Sequence, residues 1–308
     1  MKKVLVLMVA AATLLAFTSC NKEGVYNPKE KIVKIYKSSI NSTTYSYGGQ
    51  SLTESDTVPK YVSEEWTWSG KLLTSISFYS YNYQTKTSVF SNKIDLTYDG
   101  KQLTKVASSD DPTNEYATYT YDGNKISKIE TYYRGKLQST TDVTHDGKKV
   151  VKVVITMYDD DEGDITKFVM NSIMPTRKAA EMVLACRSAK AVTTETETID
   201  FTYEGNNVSK MVVTYGEDKR TMDFTYDAMK NPFYGNYLYA ASGDGSVMLS
   251  ENNVLTEKSS WTGEEPRTQS YTYEYDGKYP VSCTTSETSN DGVYSYSSSN
   301  TIYYEYAE

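Results

Sequence analysis

The sequence has little of what most catalytic and nucleic-acid-binding proteins rely on. It holds one histidine, three cysteines and three tryptophans among 308 residues. A lone imidazole, His145, removes most acid–base and metal chemistry that depends on this side chain. Three thiols build neither a four-thiolate metal site nor a disulfide framework. Lysine and arginine number 32 against 40 aspartates and glutamates, a formal charge of −8. A surface of that sign does not neutralise phosphates, so nucleic acid is excluded as a partner. The longest apolar run, Val4 to Phe17, is short of the ~20 residues of a membrane-spanning helix. What is abundant is tyrosine, 30 residues against 7 phenylalanines. Tyrosine joins an apolar ring to a wet tip and suits half-exposed sheet faces and recognition surfaces. The many serines and threonines are consistent with the same kind of surface.

The first twenty residues read as an address. Met1-Lys2-Lys3 precedes the apolar run, and the run ends in Leu15-Ala16-Phe17-Thr18-Ser19-Cys20. A basic start followed by a short apolar stretch is a secretory signal peptide. Its end resembles a bacterial lipobox, which implies cleavage before Cys20, diacylglyceryl on the Cys20 sulfur and acylation of the new amine. Several acyl chains anchor stably without a transmembrane helix. Loss of Lys2 and Lys3 with the leader takes the formal charge from −8 to −10. The expected division is a leader over 1–19, a lipidated Cys20 with a tether to 26, and one domain over 27–308.

That domain is repetitive. Leu96-Thr97-Tyr98-Asp99-Gly100, Tyr119-Thr120-Tyr121-Asp122-Gly123, Val143-Thr144-His145-Asp146-Gly147 and Phe201-Thr202-Tyr203-Glu204-Gly205 each lead through polar residues to a second apolar pair. Weaker copies begin at Trp66, Phe224, Val247 and Tyr273. Most copies start roughly 24 residues apart, a true period. Alternating Tyr-Thr-Tyr favours a strand, and Asp-Gly supplies the positive φ of a tight hairpin turn. The returning apolar residues are three apart, as Leu103 and Val106 are. This breaks strict alternation and predicts either a bulge or an apolar residue still in the turn. Second turns are expected at Arg134-Gly135, Gly163 and Gly216. The whole is an all-β antiparallel meander of roughly 16–22 strands, closed into a barrel or rolled as a large sheet. One departure is Arg177 to Lys190. Its helix-forming composition and the Thr176 cap predict an inserted helix at about 176–190.

The unit is similar to the tyrosine–aspartate repeats of bacterial surface and toxin proteins. The chain more closely resembles a family of Bacteroidales lipoproteins of unknown function with a porin-like fold. The residues that carry this likeness are the Cys20 lipobox, Lys31-Ile32-Val33-Lys34-Ile35, Tyr226-Asp227-Ala228-Met229-Lys230-Asn231-Pro232-Phe233 and Tyr273-Glu274-Tyr275-Asp276-Gly277-Lys278-Tyr279-Pro280-Val281. The resemblance implies a β-barrel and an envelope location, and it brings no activity. Asp56-Thr57-Val58 resembles a short O-glycosylation signal of the same bacteria.

Candidate sites are few. His145 stands where other copies carry tyrosine and reads as a sheet residue. The acidic run Asp159 to Asp164 does not match the spacing of a calcium-binding EF-hand loop and reads as a solvated hairpin tip. Cys186 and Cys283 either pair or stay as buried thiols. Trp66 and Trp68, two apart on a strand, share a face. Tyr79, Tyr81 and Tyr83 on the next strand extend that face into an aromatic platform, and Trp261 is a further binding candidate. Many carboxylates leave glycoside hydrolysis open in principle, but most occupy turns. No cofactor and no metal site is expected. The expectation is a non-catalytic lipoprotein of the outer membrane, facing the periplasm or the cell surface. It would bind a glycan or small amphiphile, or else a protein partner in an outer-membrane assembly. Charged residues recurring inside the strands, as in Lys125 to Glu130, argue against a barrel that crosses the membrane.

Overall fold

The computed structural model describes residues 26–47, 50–158, 195–236, 248–263, 265–290 and 294–308. The leader, Cys20, the acidic run, Gly163, the helix expected at about 176–190 and Cys186 lie outside these residues. The strands are β1 (Ile32–Tyr47), β2 (Gln50–Ser69), β3 (Leu72–Asn82), β4 (Thr87–Asp99), β5 (Gln102–Ser108), β6 (Tyr116–Asp122), β7 (Lys125–Tyr133) and β8 (Lys136–Asp146). They continue with β9 (Lys149–Met157), β10 (Glu195–Glu204), β11 (Asn207–Tyr215), β12 (Asp218–Lys230), β13 (Asn252–Trp261), β14 (Arg267–Asp276), β15 (Tyr279–Asn290) and β16 (Tyr294–Tyr306). Each pairs antiparallel with its sequence neighbours, and β1 pairs with β16 from Ile32↔Tyr306 to Tyr45↔Tyr294. The meander therefore closes into a barrel.

Six two-residue turns gather at one end, called here the turn end: Gly70-Lys71, Gly100-Lys101, Gly123-Asn124, Gly147-Lys148, Gly205-Asn206 and Gly277-Lys278. The glycine at Gly100 has φ 59°, and Lys101 is not left-handed. Glycine first with only that residue at positive φ is the signature of a II′ hairpin. The opposite end, the loop end, carries Arg134-Gly135 and Gly216-Glu217, while the long connection from β12 to β13 lies at the turn end.

The unequal apolar spacing is a bulge. Thr97 pairs with Lys105 and Tyr98 with Leu103, which leaves Thr104 as the extra residue. The Thr104 hydroxyl then donates to the Thr97 carbonyl at 3.1 Å. Thr74, Ser127 and Ser209 repeat this bond to Thr67, Thr120 and Thr202. The bulge lets Leu103 and Val106 both point inward, where they are 5% and 6% exposed. The copy placed at Val247 is not a hairpin arm, because Met248 and Leu249 are helical and β13 begins at Asn252.

A second set of bonds ties each hairpin to the one before. Tyr98 donates to the Leu73 carbonyl, Tyr121 to Leu103, Tyr203 to Val150, Tyr226 to Val208 and Tyr306 to Pro280, all between 2.6 and 2.8 Å. Trp68 Nε1 makes the same bond to Ile32 at 2.7 Å. His145 Nε2 lies 2.8 Å from the Ile126 carbonyl, so this nitrogen carries the proton and the histidine fills a tyrosine's place. The last member departs: the Tyr275 hydroxyl donates to Asp227 Oδ2.

Apolar residues point in and polar residues out. One cluster runs from Ile32 and Ile35 through Leu73, Ile76, Leu103, Ile126 and Ile129. A second joins Val150, Val153, Ile199, Val208, Met211 and Met222. Sixteen strands ordinarily enclose an aqueous channel. Here Tyr26, Phe233 and Met248, from segments outside the strands, join the first cluster and occupy the turn-end half. Between inward positions, Asp95, Thr97, Thr120, Thr144, Lys152, Asp200, Thr202 and Asp223 are exposed. A barrel facing lipid shows the reverse, an apolar outer band.

Removing one hydroxyl from the ring isolates its contribution. Tyr121→Phe is expected to lose about 1 kcal/mol, read as a lower denaturation midpoint at unchanged slope. The phenols also give the fold an alkaline limit. Burial pushes Tyr226 up to about 12, and holds Tyr98 and Tyr306 well above the ordinary phenol value. Groups raised in this way stabilise the fold fully below pH about 10, and that contribution is lost as pH rises through the folded-state values. Ultraviolet titration should show the ring tyrosines ionising together with unfolding, while exposed tyrosines ionise earlier and reversibly.

Candidate functional site

The structure separates the aromatic residues that the sequence grouped. Trp66 and Trp68 share the inward face of β2, as their spacing requires, but that face belongs to the core. Trp66 is 4% exposed and its Nε1 donates to Glu64 Oε2 at 2.9 Å. Tyr26 and Phe233 meet it edge-on at 6.1 and 6.2 Å. Trp68 is half-buried, holds the Ile32 carbonyl, and packs against Tyr26 at 5.7 Å. Neither indole offers an open face on a concave surface.

Tyr79, Tyr81 and Tyr83 form a patch without the tryptophans. Tyr81 lies 5.5 Å from Tyr61 and 5.2 Å from Tyr83, and Tyr79 meets Phe90 edge-on at 5.9 Å. Tyr83 is 62% exposed and Phe90 52%. The patch sits at the loop end of β2, β3 and β4. A four-residue connection from Asn82 to Thr87 fixes the hairpin, with Asn82 Oδ1 accepting the amides of Gln84 and Thr85. The Tyr79 hydroxyl donates to Glu65 Oε2 at 2.7 Å, and Lys34 lies 3.3 Å from Oε1 of the same carboxylate. Chiefly the Tyr79 bond, then Lys34, holds the Glu65 carboxyl below its ordinary range. Tyr61 and Phe90 were not identified from the sequence. The signal was the strand register, because Phe90 faces Tyr79 directly across the hairpin.

Three other tyrosines lie under lysines. Lys60 lies over Tyr36 and Tyr303 at 4.6 and 4.4 Å, and Lys105 over Tyr116 at 4.2 Å. Tyr116 also stacks on Tyr132 at 4.6 Å.

Towards the loop end the interior becomes polar. Glu64 is buried with Lys37 at 3.9 Å. On β12 and β13, Arg220 donates to Glu257 at 3.3 Å and lies 5.7 Å over Trp261, its direct cross-strand partner. Trp261 is half-buried. Glu197 on β10 is held above the ordinary carboxyl range by burial. At the turn end, Asp227 receives the amides of Met229 and Asn253, the Asn253 side chain and the Tyr275 hydroxyl. This fixes the connection that delivers Phe233. Among the described residues, no three His, Cys, Asp or Glu side chains gather as a metal site. Cys283 is a buried thiol pushed up to about 11 by burial.

Core and patch separate on substitution. Trp66→Ala is expected to cost about 3–5 kcal/mol of stability, as a buried large aromatic does. Tyr83→Ala should stay within about 0.5 kcal/mol. Paired denaturant titrations of the two variants check both.

No protein-family model matches the sequence, and no curated protein matches it significantly. Solved structures do. A porin-like protein from Bacteroides uniformis ATCC 8492 superposes with a TM-score of 0.52 at 12% identity, covering 87% of this chain and 97% of that one. A porin-like protein from Bacteroides vulgatus ATCC 8482 gives 0.46 at 9% identity, over 91% and 99%. The first likeness shows that this chain has a porin-like fold.

Proposed function

We propose that the chain is a lipid-anchored outer-membrane protein whose barrel stands in water and binds, without catalysis, a glycan or small amphiphile at its loop end. The exposed rings of Tyr83 and Phe90, with half-buried Tyr81 and Tyr61 packed beside the first and half-buried Tyr79 against the second, carry this reading. Flat apolar faces edged with hydroxyls suit a ligand that is apolar on one side and polar on the other. Contiguous exposed apolar surface on a soluble fold marks an interaction site. The lipobox supports the anchor, and the polar outer wall supports a barrel held beside the bilayer rather than within it.

A protein partner is the second reading, favoured by the filled turn-end half and the buried Trp66. Such a partner would not join by strand addition, because closure leaves no free sheet edge. It would cover the same patch, since tyrosine and phenylalanine are enriched at protein interfaces.

Two measurements test the proposal. Cells fed an alkyne fatty acid should label the wild-type chain and not Cys20→Ala. On glycan arrays and in fluorescence titrations with short-chain amphiphiles, Tyr81→Ala/Phe90→Ala should bind at least about tenfold more weakly than wild type, given the weight of buried aromatic anchors. Wild-type binding unaffected by both substitutions would sink the patch. Crosslinking from position 83 to one envelope protein, with no glycan or amphiphile bound, would establish the second reading instead.

A further inference from the structure

The outer wall beside the patch carries a second pattern, and this inference rests on the reading of the patch as a ligand site. On five adjacent strands, from β16 through β1, β2 and β3 to β4, the register sets two rungs of outward side chains next to each other. Glu305, Lys34, Glu65, Ser77 and Lys93 are direct cross-strand neighbours in the first rung. One rung nearer the loop end, Tyr303 faces Tyr36, Tyr36 faces Val62, and Tyr79 faces Phe90. Ile35, Trp66, Ile76 and Ile94, adjoining these residues in sequence, are buried in the core, which fixes both rungs on the outside.

The rungs are tied to each other. The Tyr36 hydroxyl donates to Glu305 at 2.6 Å, as Tyr79 does to Glu65, and Lys34 stands between the two carboxylates in register. Exposed Lys60, from the irregular stretch of β2, lies over Tyr36 and Tyr303. A ligand therefore meets an ammonium at the β16 end and a bare ring at the Phe90 end.

Charge cancels along these strands. Lys34, Lys60 and Lys93 stand against Glu65, Glu305 and Asp95, with Lys34 3.3 Å from Glu65 and Lys93 3.0 Å from Asp95. A charged ligand gains nothing net there. An alkyl chain would cover the charged rung without hydrogen-bonding to it, at a desolvation cost. A sugar chain suits both rungs, because its C–H faces stack on rings and its hydroxyl rims bond to carboxylates and ammoniums. Five strands span roughly 19 Å across, the reach of an oligosaccharide rather than of a single sugar.

We propose that the patch is one end of a track for an uncharged oligosaccharide. The chain lies across β4, β3, β2, β1 and β16, with its sugar faces on the aromatic rung and its hydroxyls on the charged one.

Calorimetric titration of the mature chain with neutral malto-, cello- and manno-oligosaccharides, from disaccharide to hexasaccharide, tests this. In at least one series the hexasaccharide should bind at least about tenfold more tightly than the disaccharide. Two substitutions act at the end remote from Phe90. Lys60→Met keeps the stem over the rings and removes the ammonium, and Glu305→Ala removes the carboxylate. Each should weaken the hexasaccharide about tenfold, the weight of one charged hydrogen bond, and so bring it down to the affinity of the disaccharide. Lys258→Met, on β13 outside the track, should bind as wild type. Oligogalacturonates and chitosan oligomers should bind no more tightly than neutral chains of equal length. Octanoate binding that Tyr81→Ala/Phe90→Ala abolishes, with no neutral chain bound, would leave the patch standing and overturn the track. Affinity independent of length, tighter binding of either charged series, or a hexasaccharide indifferent to both remote substitutions would also overturn the track alone. Binding of neither sugars nor octanoate would overturn track and patch together.

Discussion

The bond from a tyrosine tip to the backbone of the preceding hairpin is the constraint on which the barrel depends. Within a hairpin, the turn and the bulge set the register locally. Between hairpins only the shorter connections, such as Arg134-Gly135 and Gly216-Glu217, do so, and a slip of one residue would exchange the inner and outer faces. Tyr98, Tyr121, Tyr203, Tyr226 and Tyr306 resolve this by reaching back to one defined carbonyl on the neighbouring unit. Trp68 and His145 show that the requirement is for a ring with a donor at its far edge rather than for tyrosine itself. The bond is shielded by the clusters above it, where an unpaired hydroxyl or carbonyl would be costly. The exception at Tyr275 coincides with the connection between β12 and β13, where Asp227 takes the hydroxyl and anchors the segment that enters the lumen.

This arrangement explains how a porin-like fold can belong to a chain with a polar exterior. Once Tyr26, Phe233 and Met248 fill the turn-end half, the inward face there has apolar partners. Trp66 and Trp68 are consumed in that filling. Recognition is left to side chains beyond it, on the rim around Tyr81 and Phe90, and to the polar upper interior around Arg220, Glu257 and Trp261.

The fold was legible because each repeat carries its own local instructions. Asp99-Gly100 names the turn, Leu103 and Val106 name the bulge, and the interval between copies gives the strand number. Closure was not legible, because the pairing of Ile32 with Tyr306 depends on tilt and stagger summed over all strands. The site was only partly legible. Shared-face spacing placed Trp66 with Trp68 correctly but did not say which face. Burial was decided by Tyr26 and Phe233, which no strand period includes. Tyr83 stays exposed, and Tyr79 and Tyr81 only half-buried, beyond the point where β2 and β3 stop pairing at Glu64 and Phe78. The false copy at Val247 shares the composition of a repeat without its glycine.

The seam between β1 and β16 has a consequence for assembly. Every other pairing joins strands adjacent in sequence, so hairpins can form and zip together while the rest of the chain is still unstructured. The seam alone needs both ends of the domain, and loop entropy makes it the last contact to form rather than an expensive one. A chain that has lost β16 keeps its hairpins but exposes two long edges, those of β1 and β15. Such a fragment would be a template for strand-to-strand aggregation. Conversely, because the two ends meet on neighbouring strands, the ring has no structurally required starting point. Joining the ends and opening Gly216-Glu217 would leave all sixteen strand pairings available.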